Sequence, residues 1–150
     1  MKSSAYFSKL DEEATLEKAK ALLGDYVLLH RIERRDVISL RSPSMDGMPK
    51  SPNFKNTAEN SLIEHSSATV VCTEIRHAID ALEREEYRYI LKRKFLTEFP
   101  DKDDLIMDHI GYSKTQYTKI KKDAIIAFAF QFPPQLEEGN KLNDLLVFKA

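Results

Sequence analysis

The sequence predicts an all-α fold, in which a long N-terminal helix is joined to a helical bundle by a loop containing proline and glycine. Apolar residues recur every three or four positions through most of the chain, which is the spacing of an amphipathic helix. Charged residues make up 31% of the 150 residues and only four are glycine, a composition typical of surface-charged helices. No alternation of apolar and polar residues is long enough to predict a sheet.

The first predicted helix covers residues 8–40. Ser8 or Asp11 would cap it, and the acidic side chains of Glu12 and Glu13 would suit the positive end of the helix dipole. Its predicted apolar stripe consists of Leu16, Ala19, Leu23, Tyr26 or Val27, and His30. The arginines near its end form either a solvated face or an arm that contacts phosphate or a partner.

The next boundaries follow from helix breakers. Residues 41–56 contain three prolines and Gly47, so this stretch is predicted to be a linker or an ordered loop. A second helix is expected from about Thr57 and a third from about Glu83 to just before Pro100. The predicted parts are therefore residues 1–56, a helical domain at 57–132, and a tail at 133–150. The tail forms either a docked short helix or a frayed end.

The sequence predicts a helix-turn-helix between about Asp103 and Phe128. A short helix begins with acids such as Asp103, which suit a helix start. Gly111 follows it, at a position where this motif needs a backbone conformation that a Cβ resists. Ser113 would cap a longer second helix, which Pro133 ends.

The second helix of this motif has two faces. The face predicted to be buried consists of Tyr117, Ile120, Ala124, Ala127 and Phe128. The candidates for reading DNA bases are Lys114, Thr115, Gln116 and Thr118. The candidates for contacting DNA phosphates are Ser113, Lys119, Lys121 and Lys122. The alternative interpretation is that these lysines form only a solvated helix face.

The composition argues against several other classes of protein. The net charge of −1 means that any nucleic-acid site is a local patch. The four histidines are scattered and Cys72 is the single cysteine, so the sequence predicts no metal site, no cofactor and no catalytic residues. A lone cysteine, the lack of an apolar leader and the lack of a long apolar run predict a protein of the bacterial host cytoplasm, associated with the nucleoid rather than a membrane.

Two resemblances sharpen this interpretation. The stretch from Ile79 to Phe128 resembles region 4 of bacterial sigma factors, although Met107 stands where such modules usually carry a small residue. Over roughly residues 20–130 the chain is more similar to the ArpU-like family of phage and prophage transcriptional regulators. The likeness is carried by SPSMDGMPKSP, by Thr57-Ala58-Glu59 and by GYSKTQYTKIKKDAIIAFA.

The resemblance implies sequence-specific binding of double-stranded DNA and control of late packaging and lysis genes or of autolysin genes. Because a single recognition helix binds weakly, RNA polymerase or a second copy of the chain is an expected partner. The stripe of residues 16–30 or the tail at 142–148 would form the homodimer contact, and the alternative is that these residues pack within the chain. Two alternatives stay open, namely a DNA-recognition subunit like a phage small terminase and a helical protein-interaction module that does not bind DNA.

Overall fold

The computed structural model describes residues 9–35, 52–137 and 141–149. Among these residues the fold is almost entirely helical, which confirms the predicted all-α class. The elements are α1 (Glu12–Gly24), α2 (Tyr26–Glu33), α3 (Pro52–Asp80), α4 (Glu85–Phe95), α5 (Asp103–Ile110), α6 (Lys114–Gln131), β1 (Gln135–Glu137) and β2 (Lys141–Asn143). None of the helices in the described ranges combines the length and hydrophobicity that crossing a membrane requires.

The N-terminal helix differs from its prediction. Asp11 caps it as expected, because its carboxylate accepts a hydrogen bond from the Ala14 N–H at 3.1 Å. The predicted single helix is wrong at Gly24 and Asp25, where α1 ends and α2 begins. Glycine and aspartate are both weak helix formers, so two of them in sequence favour a break. Ser8 and residues 36–40 lie outside the described residues.

Helix α3 begins at Pro52, earlier than the predicted start at Thr57. Proline is well suited to the first position of a helix, because the N–H that it lacks would have no partner there. The predicted loop through residue 56 is therefore wrong from Pro52 onward, where the helix begins instead. The rest of the predicted loop, residues 41–51, lies outside the described residues, as does the side-chain structure of residues 52–64.

The chain divides into two compact units, one formed by residues 28–73 and the other by residues 1–27 and 74–150. In the smaller unit, Nε2 of His65 lies 2.8 Å from the backbone oxygen of Glu33, which links α2 to α3. In the larger unit, α6 packs against both α1 and α4. Ile90, Ile106 and Tyr117 form a buried cluster that joins α4, α5 and α6. The domain boundaries at residues 56 and 132 stay a prediction.

In residues 133–137 and 141–149, the part of the C-terminal tail that the structure describes, the tail forms neither a helix nor a frayed end, so both predictions are wrong there. β1 pairs antiparallel with β2, and Leu136 lies opposite Leu142. The end of the chain then returns to the start of the fold, where the Asp11 N–H donates to the Val147 oxygen at 2.7 Å. The sequence between the strands contains Gly139-Asn140, a turn signal that explains a hairpin here better than a helix.

Candidate nucleic-acid interface

A left-handed turn connects α5 to α6. Gly111 has φ 75° and ψ 28°, and its N–H donates to the Met107 oxygen at 2.8 Å. Ser113 then caps α6 by accepting a hydrogen bond from the Gln116 N–H at 3.4 Å. The Gln116 side-chain oxygen accepts in return from the Ser113 N–H at 3.1 Å, which completes a capping box. The turn predicted at Gly111 and the cap predicted at Ser113 are therefore confirmed, whereas the phosphate contact of Ser113 stays a prediction.

The inner side of α6 is broader than predicted. Three predicted core residues are fully or almost fully buried, namely Tyr117, Ala124 and Phe128. Ile120 and Ala127 are half-buried. Ile125 and Ala129 are also buried, although the predicted stripe did not include them. The arc is wider because α6 packs between α1 and α4 rather than against a single helix.

One carboxylate ties the three helices around the turn together. Oδ1 of Asp103, in the first turn of α5, lies 2.6 Å from the Lys94 ammonium of α4. The same oxygen accepts a hydrogen bond from the Tyr117 hydroxyl of α6 at 2.8 Å. The hydrogen bond from Lys94 lowers the pKa of Asp103. Burial is the main reason why the pKa of Tyr117 is raised, and its hydrogen bond to Asp103 raises that pKa further. The orientation of α6 is thus fixed by polar contacts as well as by packing.

All four predicted base-reading residues lie exposed on the first turns of α6. Two of them already make local hydrogen bonds. The Gln116 side-chain oxygen belongs to the capping box, and the Thr118 hydroxyl donates to the Lys114 backbone oxygen at 2.9 Å. To contact a base, each of these two side chains would have to give up its local hydrogen bond or make the new bond in addition to it. Lys114 and Thr115 complete the set, and the base-reading role of all four stays a prediction.

The predicted phosphate-contacting residues do not share one environment. Ser113, Lys119 and Lys122 are exposed, but Lys121 is half-buried, and this burial lowers the pKa of its ammonium. Lys121 lies in a groove of about 390 Å³ between α5 and α6, here called the acidic groove. Its lining residues are Asp103, Asp104, Met107, Lys114, Tyr117, Thr118 and Lys121. Its partial burial beside these carboxylates makes Lys121 a weaker candidate than its exposed neighbours.

A second groove of about 250 Å³ lies on the other flank of α6, and we call it the arginine groove. It is lined by Arg84, Tyr112, Gln116, Lys119, Ile120 and Asp123. Arg84 precedes α4 and was not among the predicted site residues. No sequence signal links it to α6, because it lies some thirty residues earlier in the chain and only the packing of α4 against α6 brings it there.

Met107, the residue that departs from the sigma-like pattern, is half-buried. It packs against the cluster of Ile90, Ile106 and Tyr117, and it also lines the acidic groove. The long, flexible side chain of methionine suits such an irregular position. Among the described residues, no group of three or more potential ligands is arranged to hold a metal ion.

Two relatives are similar to this chain over most of their length. The first, from Streptococcus phage O1205, is 28% identical over 122 residues, which are 81% of this chain and 88% of the relative. The second, from Enterococcus hirae, is 29% identical over 121 residues, with the same shares. Both carry the provisional name autolysin regulatory protein ArpU. No family model matches the sequence. No solved structure matches it either.

Proposed function

We propose that this chain, whose relatives support its resemblance to the ArpU-like family, is a regulator that binds duplex DNA through α6. In this proposal α5, the turn at Gly111 and α6 act as a helix-turn-helix, and the N-terminal half of α6 enters the major groove. The genes controlled are the late packaging and lysis genes of a phage or prophage, or autolysin genes. Regulation proceeds by promoter binding and recruitment of RNA polymerase.

The exposed stripe at the start of α6 is the observation that supports this proposal best. Thr115, Thr118, Lys119 and Lys122 are spaced so that they lie on one helix face, and all four side chains are exposed. This face is opposite the buried side chains of Tyr117 and Ala124. A helix that is anchored on one side and presents hydroxyl and ammonium groups on the other has the form needed to read base edges.

The distribution of charge supports the same assignment. The whole chain carries a net charge of −1, yet residues 113–122 contain four lysines and no acid. Attraction to DNA depends on such a local concentration of cations rather than on the total charge. Asp103 and Asp104 line the groove on one flank of α6, and Asp123 lines the groove on the other.

One recognition helix makes few contacts, so we propose that the bound form is a homodimer or a complex with polymerase. A two-fold dimer would read half-sites separated by about 34 Å, one turn of DNA, or a multiple of it. Selection of bound sequences from random duplex DNA, repeated at two salt concentrations, tests the central claim. We expect a preferred motif and a steep loss of affinity with salt. Salt-sensitive binding without any preferred motif would mean that the site is only a basic patch, which binds DNA without sequence specificity.

Removing two lysines of the exposed stripe tests the interface itself. In the K119A/K122A variant we expect the slope of log affinity against log salt to fall by about 1.8, twice the 0.9 expected per phosphate contact. The control is K9A/K149A, which removes two exposed lysines that line neither groove. The control keeps the parental slope if the interface is correct. Equal binding of duplex DNA by the parent and K119A/K122A at low salt would refute the proposal that α6 contacts DNA.

A further inference from the structure

We infer that Arg84 binds a backbone phosphate of the DNA duplex from the arginine groove, beside the recognition helix. This inference rests on the proposed function and adds a contact from outside α6. It also assigns a role to the flank of α6 that carries Lys119. A guanidinium is well suited to phosphate, because its planar set of N–H donors matches two phosphate oxygens at once.

The guanidinium of Arg84 is held in place by the first turn of α4, which Arg84 precedes. Its Nε lies 3.1 Å from a carboxylate oxygen of Glu86, and its Cζ lies 4.9 Å from the centre of the Tyr87 ring. The other carboxylate oxygen of Glu86 is 3.5 Å from the Tyr112 hydroxyl, next to the turn before α6. Such support reduces the side-chain entropy that binding would otherwise remove.

The two grooves differ in the kind of cation that a phosphate would meet. The acidic groove has two lysines and two aspartates along its wall, and the Lys94 ammonium lies 2.6 Å from Asp103. The arginine groove has Arg84 and Lys119 with Asp123, and the Glu86 carboxylate lies 3.1 Å from Nε of Arg84. Lys119 belongs to the exposed stripe of α6 as well. DNA that meets this stripe therefore has an exposed guanidinium on the Arg84 side and a half-buried ammonium on the Lys121 side.

The chain offers a closely matched control at the other end of α4. Arg93 is also exposed, its Cζ lies 5.5 Å from the centre of the Tyr89 ring, and its Nε lies 3.8 Å from an Asp101 oxygen. It therefore shares the chemistry of Arg84, namely a tyrosine ring and a carboxylate partner. It lines neither of the two grooves beside α6.

The experiment measures duplex affinity over a range of salt concentrations for the parent, R84A, R84K and R93A. For R84A we expect the slope of log affinity against log salt to fall by about 0.9, the loss of one phosphate contact. R84K keeps a cation and retains most of the slope, whereas R93A retains all of it. Thermal melting of each variant checks the fold, and R84Q serves as a second neutral variant.

Three results would overturn the inference. The first is a parental slope in both R84A and R84Q. The second is an equal loss in R93A, because the effect would then come from net charge rather than from the groove. The third is a parent that binds no duplex at low salt, which would refute the proposed function itself. Binding by the parent together with an unchanged R84A slope would refute only the role of Arg84.

Discussion

The two sides of α6 differ in polarity and in burial. The inner side is apolar and buried between α1 and α4, with Phe128 fully enclosed. The outer side is polar and exposed at Thr115, Lys119 and Lys122. One side of the helix therefore supplies stability and the other is available for recognition. The two contributions can therefore be changed separately, by substitutions on one side or on the other.

The boundary between the two sides is not sharp. Tyr117 is buried by its ring but reaches Asp103 with its hydroxyl, and Lys121 is half-buried in the acidic groove. These residues connect the packing of the helix to the position of its exposed face. Variants at Tyr117 are expected to alter both stability and binding, whereas variants at Phe128 or Lys122 are expected to alter mainly one of them.

The largest effect is expected on the inner side, from F128A. Truncating a fully buried phenylalanine removes its packing, including the contact with the Phe132 ring at 5.6 Å between centroids. We expect the free energy of unfolding to fall by about 3–5 kcal/mol in urea titration. The control is F130A, two residues along, where the side chain is 40% exposed. A loss there of about 1 kcal/mol or less is expected. Equal losses would mean that α6 is not oriented as described.

Sequence reasoning succeeded where a local pattern decides the structure. The left-handed Gly111, the cap at Ser113 and the burial of Tyr117 follow from residues within one or two turns of each other, so they could be predicted. The wide buried arc that includes Ile125 depends on two helices packing against α6, which no local pattern encodes. Arg84 was missed for the same reason, since tertiary packing alone brings it to the flank of α6.

The errors elsewhere also have local causes. Pro52 predicts a loop because proline breaks a continuing helix, but proline suits the first position of a helix equally well. In the tail, the apolar residues between 142 and 148 obscured a turn signal that predicts a hairpin. A proline is compatible with a loop or with a helix start, and a short apolar segment is compatible with a helix or with a strand. Contacts elsewhere in the folded chain decide between the two structures in each place.

A smaller effect is expected at the boundary between the two sides, from D103N. Asparagine cannot hold the Lys94 ammonium as a carboxylate does, so the link between α4, α5 and α6 weakens. Because Asp103 is half-exposed, we expect a loss of only about 1 kcal/mol at pH 7. D104N, a change in the same helical turn, is the control for the helix dipole. An equal loss in both variants would contradict a specific role for Asp103.

The pH dependence of that difference has a defined sign. The pKa of Asp103 is lower in the folded chain than its ordinary value of 3.8. Its contribution is therefore fully present above pH 3.8 and is lost as the pH falls through the lowered folded value. The parent and D103N should differ by a constant amount between about pH 7 and pH 5 and converge in strong acid. A difference that persists in strong acid would mean that the charge of Asp103 is not its source.

The smallest effect on stability, and the clearest on binding, is expected from K122A. Its side chain is exposed, so urea titration should show a change within about 0.5 kcal/mol. The slope of log affinity against log salt should fall by about 0.9, because one phosphate contact is removed. K121A is the matched comparison, since it removes an adjacent lysine that faces Asp103 in the acidic groove. We expect it to leave the slope unchanged. If instead K121A reduced the slope and K122A did not, the DNA would lie against the acidic groove.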